Sequence, residues 1–145
     1  MTKVLFLSNQ NSCRSQMAEA ILRSFDKNLK IYSAGIKPAD HISPVAIEVL
    51  SEIGIELEPS IPQHYSKLED LEFEYLITVG DGTADNLNIP PLKYKRKMHL
   101  GFHNPYKRFK NRDELIVKCR EIREEIFSEL DYFYHKILKK EKQPE

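Results

Sequence analysis

A short apolar run, Val4-Leu5-Phe6-Leu7, passes directly into eight small or polar residues, Ser8-Asn9-Gln10-Asn11-Ser12-Cys13-Arg14-Ser15, and these open an amphipathic helix. The run has no polar alternation, so it reads as a strand buried on both faces of a sheet. From Ser15 onward, Ala18, Ile21, Leu22 and Phe25 fall at i, i+3, i+4, i+7 spacing and predict a helix with one apolar face. A tight turn between the two would aim successive backbone N–H groups inward, at the positive end of the helix. Arg14 has the planar fork to grip two oxygens of a bound oxyanion. Strand, loop and helix together predict a pocket for phosphate, sulfate or arsenate lined by Ser8 to Ser15.

The rest of the chain repeats the strand-helix alternation. Lys30-Ile31-Tyr32-Ser33 reads as a second strand closed by Ala34-Gly35. Ser43-Pro44 is a cap with proline at the first helical position; Ala46, Val49, Leu50 and Ile53 then mark one face, and Gly54 supplies the stop. Glu74 to Gly80 forms a third strand and Lys97-Met98-His99-Leu100 a fourth. A long helix is expected from Arg112 to Leu138, with Leu115, Cys119, Ile122, Ile126, Leu130, Phe133 and Ile137 on its apolar side. Such alternation implies a parallel sheet with helices on both faces and a ligand site beyond the carboxyl ends of the strands. Residues 1–140 are expected to form one domain, and 141–145 a frayed tail.

Composition narrows the function classes. No apolar run approaches the ~20 residues that span a bilayer, and the N-terminus is too short for a secretory core, so a cytoplasmic location is expected. Two distant cysteines, Cys13 and Cys119, make neither a disulfide scaffold nor a zinc site. No cofactor or metal is expected. Neither nucleotide-binding glycine motif is present, and no motif suggests specific nucleic-acid binding. Charge is uneven: residues 1–89 carry seven Lys/Arg against thirteen Asp/Glu, and residues 90–145 fifteen against nine. The basic clusters Lys93–Lys97 and Lys107–Arg112 read either as a docking face for an anionic partner or as solvated surface.

The segment Asn11-Ser12-Cys13-Arg14-Ser15-Gln16-Met17-Ala18-Glu19 resembles the arsenate reductase branch of the low-molecular-weight tyrosine phosphatase family. That family carries Cys-x5-Arg followed by Ser or Thr after its first strand. Similar matches follow at Tyr32-Ser33-Ala34-Gly35, at Pro44-x-Ala46-Ile47-Glu48, at His64-x-Ser66-x-Leu68, at Leu76-Ile77-Thr78-Val79 and at Gly101-Phe102-x-x-Pro105. The resemblance spans nearly the whole chain. It implies a four-stranded parallel sheet, order 2-1-3-4, flanked by helices in three layers, with catalytic positions at Ser8, Arg14 and Asn104.

Four departures from the family pattern bear on chemistry. Ser8 stands where the family has its nucleophilic cysteine; a helix N-terminus and an Arg lower a thiol to roughly 3.5–7.5, but a hydroxyl needs an adjacent base. Asn104 precedes Pro105 where the family has its general-acid Asp, and losing such an acid forfeits roughly 10²–10⁴ in rate. The stretch Gly80 to Asn88 lacks the two further cysteines of a thioredoxin-coupled relay. Gln10 replaces the family's usual Gly, and must bear backbone strain or lean over the pocket.

Some arsenate reductases hold a potassium ion beneath the loop. The matching positions here are Asn11, Glu19, Ser33 and Lys67, the last replacing an Asp. Lys67 then either sits in the cation's place, paired to Glu19 and bonded to Asn11, or lies solvated on the surface.

The leading expectation is a catalytically impaired family member that keeps its oxyanion loop and binds a phospho-ligand or a phosphorylated protein. The alternatives are a residual phosphomonoester hydrolase or arsenate reductase with Cys13 as displaced nucleophile or His103 as base to Ser8, an engineered Cys-to-Ser trap, and an interaction protein whose loop is empty.

Overall fold

The computed structural model describes residues 2–57, 61–81 and 88–139. Four strands, β1 (Lys3–Ser8), β2 (Lys30–Gly35), β3 (Glu72–Gly80) and β4 (Lys93–Gly101), form one parallel sheet in the order β2-β1-β3-β4. This is the expected topology. β1 is central, paired through Val4↔Ile31 and Ser8↔Gly35 on one side and Phe6↔Ile77 on the other. The fourth strand begins four residues earlier than its apolar pattern suggests, because Lys93 to Lys97 lie on the exposed edge, where charge does not oppose pairing.

Side chains of the central strands alternate between two cores. Val4, Phe6, Tyr75, Ile77 and Val79 face one cluster, completed by the helices α1 (Arg14–Phe25), α2 (Pro44–Ser51) and α3 (Arg112–Tyr132). Leu5, Leu7 and Leu76 face the other, closed by Leu68 of the 3-10 turn Tyr65–Leu68 and by Leu92. Helical segments thus cover both faces. Each fully buried side chain of this size contributes about 1.5–3 kcal/mol.

Local signals fix the helix ends. Ser43 Oγ accepts from the Ala46 N–H at 3.2 Å, with proline at the first position of α2, and Gly54 takes φ 79° just beyond the helix. Asn111 Oδ1 accepts from the Glu114 N–H at 2.9 Å, and Asp113 and Glu114 face the positive end of α3. The C-terminal end differs from expectation. After Tyr132 the helix widens into a π segment, Phe133–Leu138, so the residue buried beyond Phe133 is Leu138, five positions on, and Ile137 is only partly covered. The tail 141–145 lies outside the described residues.

One ion cluster ties α2 to α3. Glu52 accepts from Arg120 at 2.6 Å and from Arg123 at 2.9 Å, while Arg123 also donates to the Val49 carbonyl at 2.7 Å. The Arg120 hydrogen bond, helped by Arg123 and opposed by burial, lowers the Glu52 carboxyl to about 2. A depressed carboxyl stabilises the fold above the unfolded value, ~4.3 for Glu, and that contribution disappears as pH falls through about 2. Glu52→Gln is therefore expected to flatten the loss of melting temperature over that window. Parallel acid titrations of the two proteins would refute the assignment.

Candidate functional site

The junction of β1 and α1 is shaped by where its carbonyls go. The Ser8, Asn9, Gln10 and Ser12 carbonyls accept from the N–H groups of Ile36, Lys37, Ala39 and Ser43 at 2.8–3.1 Å. With the carbonyls pulled outward, the amides turn inward. Among the described residues, the N–H groups of Asn9, Gln10, Ser12 and Cys13 donate to no protein acceptor. α1 begins with no side-chain cap and no acidic residue in its first turn, so its positive end is uncompensated. These groups line a cleft of about 920 Å³ whose far wall includes Asp81, His99, Asn104 and Tyr106.

Ser8 sits at the base. Its Oγ accepts from the Asn11 N–H at 3.0 Å and lies 2.8 Å from the Ser15 hydroxyl, which itself accepts from Asn11 Nδ2 at 3.0 Å. No carboxylate or imidazole is among these partners, so Ser8 is a neutral hydrogen-bonding group. Asn11 is the left-handed residue of the loop, φ 54°, and its buried amide fixes the turn. Of the two expectations for Gln10, strain or a side chain at the pocket, the first is absent: Gln10 has no positive φ, is exposed and is among the cleft residues, and the demanding conformation falls one residue later.

Arg14 is anchored at one edge. Nη1 donates to Asp81 Oδ1 at 2.8 Å and to the Phe102 carbonyl, leaving the Nε–Nη2 edge without a partner among the described residues. Asp81 also meets Lys107 at 3.3 Å. Burial pushes the Asp81 carboxyl up, but the hydrogen bonds and charges of Arg14 and then Lys107 outweigh it, and the net shift is below the usual carboxylate range. The carboxylate therefore stays ionised at neutral pH and holds the guanidinium at the mouth of the cleft.

The remaining expected residues separate into those brought to the cleft and those that are not. Asn104 lines it, with Oδ1 accepting from the Tyr106 N–H at 2.9 Å as a turn cap. Cys13 is buried behind the loop, and its thiol is pushed up by the neighbouring Cys119 thiol and by burial, so it remains protonated. His103 is exposed and is not among the cleft residues; His99, bonded through Nδ1 to Thr78 Oγ1 at 2.8 Å, is. Of the two readings of Lys67, the structure overturns the cation-replacing one and agrees with the surface one. It lies exposed in the 3-10 turn, no ion pair joins it to Glu19 among the described residues, and Glu19 pairs instead with Arg23 at 2.7 Å. The reason is local: Arg23 is one helical turn from Glu19 on α1 and needs no long-range placement.

Sequence reasoning missed Asp81, Gln63 and Tyr106. Their roles depend on strand ends and loops converging, and no local pattern marks them. The Ser43 signal was read as a helix cap only, although its hydroxyl also bonds the Tyr106 hydroxyl over the cleft.

The model of the family described as low molecular weight phosphotyrosine protein phosphatase matches residues 3–143. An arsenate reductase of Bacillus subtilis (strain 168) is 31% identical over 135 residues, covering 90% of this chain and 93% of that one. An arsenate reductase solved in the phosphate binding state superposes with a TM-score of 0.76 at 21% identity, covering 94% and 99% of the two chains. Vibrio vulnificus Wzb in complex with benzylphosphonate gives 0.65 at 19% identity, covering 90% and 97%.

Proposed function

The chain belongs to the low-molecular-weight phosphotyrosine protein phosphatase family, and from that premise we propose that it binds a phosphate-like oxyanion in the Ser8–Ser15 loop without turning it over, as a phospho-ligand or partner-binding module. The observation that carries this reading is a cup of free amides that closes on a neutral hydroxyl. The inward N–H groups, the uncapped end of α1 and the open edge of Arg14 all favour a compact dianion. Among the described residues the Ser8 hydroxyl has only Ser15 and a backbone amide for partners, and Asn104 has no acidic proton to give. Neighbours of this fold were solved in a phosphate binding state and in complex with benzylphosphonate, which is in keeping with an oxyanion ligand.

The expected ligand is phosphate, sulfate or arsenate, or the phosphorylated segment of a protein. Exposed Lys107, Arg108 and Lys110 follow directly on Tyr106 at the cleft wall, which suits acidic residues flanking a phosphate. The setting is taken to be the cytoplasm; among the described residues no helix is long and apolar enough to cross a membrane.

The competing reading, residual phosphatase or arsenate reductase activity, would need Cys13 or a histidine to act. The protonated, buried Cys13 thiol and the outward His103 disfavour both routes. An engineered Cys-to-Ser trap accounts for Ser8 but not for Asn104 or the missing relay cysteines.

Calorimetric titration with phosphate, arsenate and vanadate is the test. Wild type is expected to bind, and Arg14→Ala to lose roughly 10²–10⁴ in affinity, the sum of two charge-assisted hydrogen bonds. Equal binding by the two proteins, or hydrolysis of p-nitrophenyl phosphate by wild type, would remove the proposal.

A further inference from the structure

The loop stands on a second layer of hydrogen bonds from side chains and backbone behind it. Asn11 Oδ1 accepts from the Gln63 N–H at 3.1 Å and from Gln16 Nε2 at 3.2 Å, which uses both of its lone pairs. The Asn11 carbonyl accepts from the same Gln16 nitrogen at 3.0 Å. Gln63 Nε2 donates to the Ser33 carbonyl at 2.9 Å, and the Gln63 carbonyl accepts from the Gly35 N–H at 2.8 Å. Glu19 is neutralised by Arg23, whose Nη2 also reaches the Ile31 carbonyl at 3.2 Å.

These are the positions at which the family resemblance would put a potassium ion: Asn11, Glu19, Ser33 and the position of Lys67. A potassium site needs several oxygens with lone pairs to spare and net negative charge around them. Here the amide oxygen of Asn11 is doubly occupied, the carboxylate of Glu19 carries its own cation, and the fourth position offers an exposed ammonium. The residues present do not fit the ion.

We propose that Gln63 is a positioning residue that, with Gln16, braces Asn11 in its left-handed conformation while Arg23 neutralises Glu19, together taking the place of a cation, so that this loop works independently of potassium. Gln63 acts at both ends of the brace. Its main-chain N–H holds Asn11, and its side chain ties the segment to β2. The inference rests on the oxyanion reading for its ligand-binding consequence, but its structural half stands apart from it.

The decisive comparison is made in potassium, sodium and choline chloride at equal ionic strength. The unliganded wild type is expected to melt at one temperature in all three salts, and phosphate to bind with one dissociation constant. A higher melting temperature or tighter phosphate binding in potassium alone overturns the inference. Gln63→Ala is expected to weaken phosphate roughly 2- to 10-fold, the loss of one neutral hydrogen bond. Gln63→Glu keeps the shape and removes the donor, so it should be as weak as Gln63→Ala. Wild-type affinity in Gln63→Glu would mean that only packing matters, and the positioning role fails. Lys67→Ala should change neither quantity, and a fall in either would return Lys67 to the site. If phosphate binds in none of the salts, the oxyanion reading is lost, while the melting comparison still decides the question of potassium.

Discussion

Ser8→Cys combined with Asn104→Asp is expected to give measurable hydrolysis of p-nitrophenyl phosphate, with none expected from the wild type under the proposed function. The donors around Ser8 Oγ, the Asn11 N–H at 3.0 Å and the Ser15 hydroxyl at 2.8 Å, are those that would hold a thiolate. Together with the open end of α1 and the Arg14 guanidinium they should bring a thiol at position 8 into the range of roughly 3.5–7.5. The second change asks little of the fold, because an aspartate can accept the Tyr106 N–H as Asn104 Oδ1 does at 2.9 Å. Its other oxygen can then carry a proton to a leaving group. Ser8→Cys alone should be the weaker enzyme, by roughly 10²–10⁴. A folded double variant with no turnover would show that the cup is not arranged for phosphoryl transfer. Turnover by wild type would contradict the proposed loss of catalysis itself.

The largest expected effect on stability is at Asn11. The side chain is buried, makes three hydrogen bonds and sits on a left-handed backbone. Asn11→Ala removes the bonds, leaves the Gln63 N–H without its acceptor and places a Cβ-bearing residue without compensation at φ 54°. The sum is about 3–5 kcal/mol, and the melting temperature should drop on the order of 10 °C. Asn11→Gly loses the same bonds but tolerates the backbone, so it should be less damaging by about 1 kcal/mol. If Asn11→Ala melts like wild type, Asn11 does not hold the turn.

Much of this was legible from the chain alone, and for physical reasons. The unbroken run Val4–Leu7, the polar loop and the 3–4 spacing after Ser15 report local burial and period, and each became the element they imply. Alternating strands and helices fix a parallel sheet through the handedness of crossovers. What was not legible depends on contacts distant in sequence. Asp81 meets Arg14 across sixty-seven positions, and Gln63 meets Asn11 across fifty-two. The pairing of Lys67 with Glu19, one of its two readings, is absent because Arg23, a neighbour by helical period, supplies the countercharge. The π segment escaped because a 3.6-residue period assigns Ile137 to the buried side, and only the closed backbone shows Leu138 there.

Gly35 stands opposite Ser8 in the sheet, and a single added methyl there would lie 2.9 Å from the Asn9 carbonyl oxygen and 3.1 Å from Asn11 Cβ. The cup is therefore moulded from outside, by a missing side chain on another strand. Any sequence that carries the loop motif yet places a bulkier residue at that register would have to swing the Asn9 carbonyl aside. The amides would turn with it, and the motif would be present in letters but absent in shape.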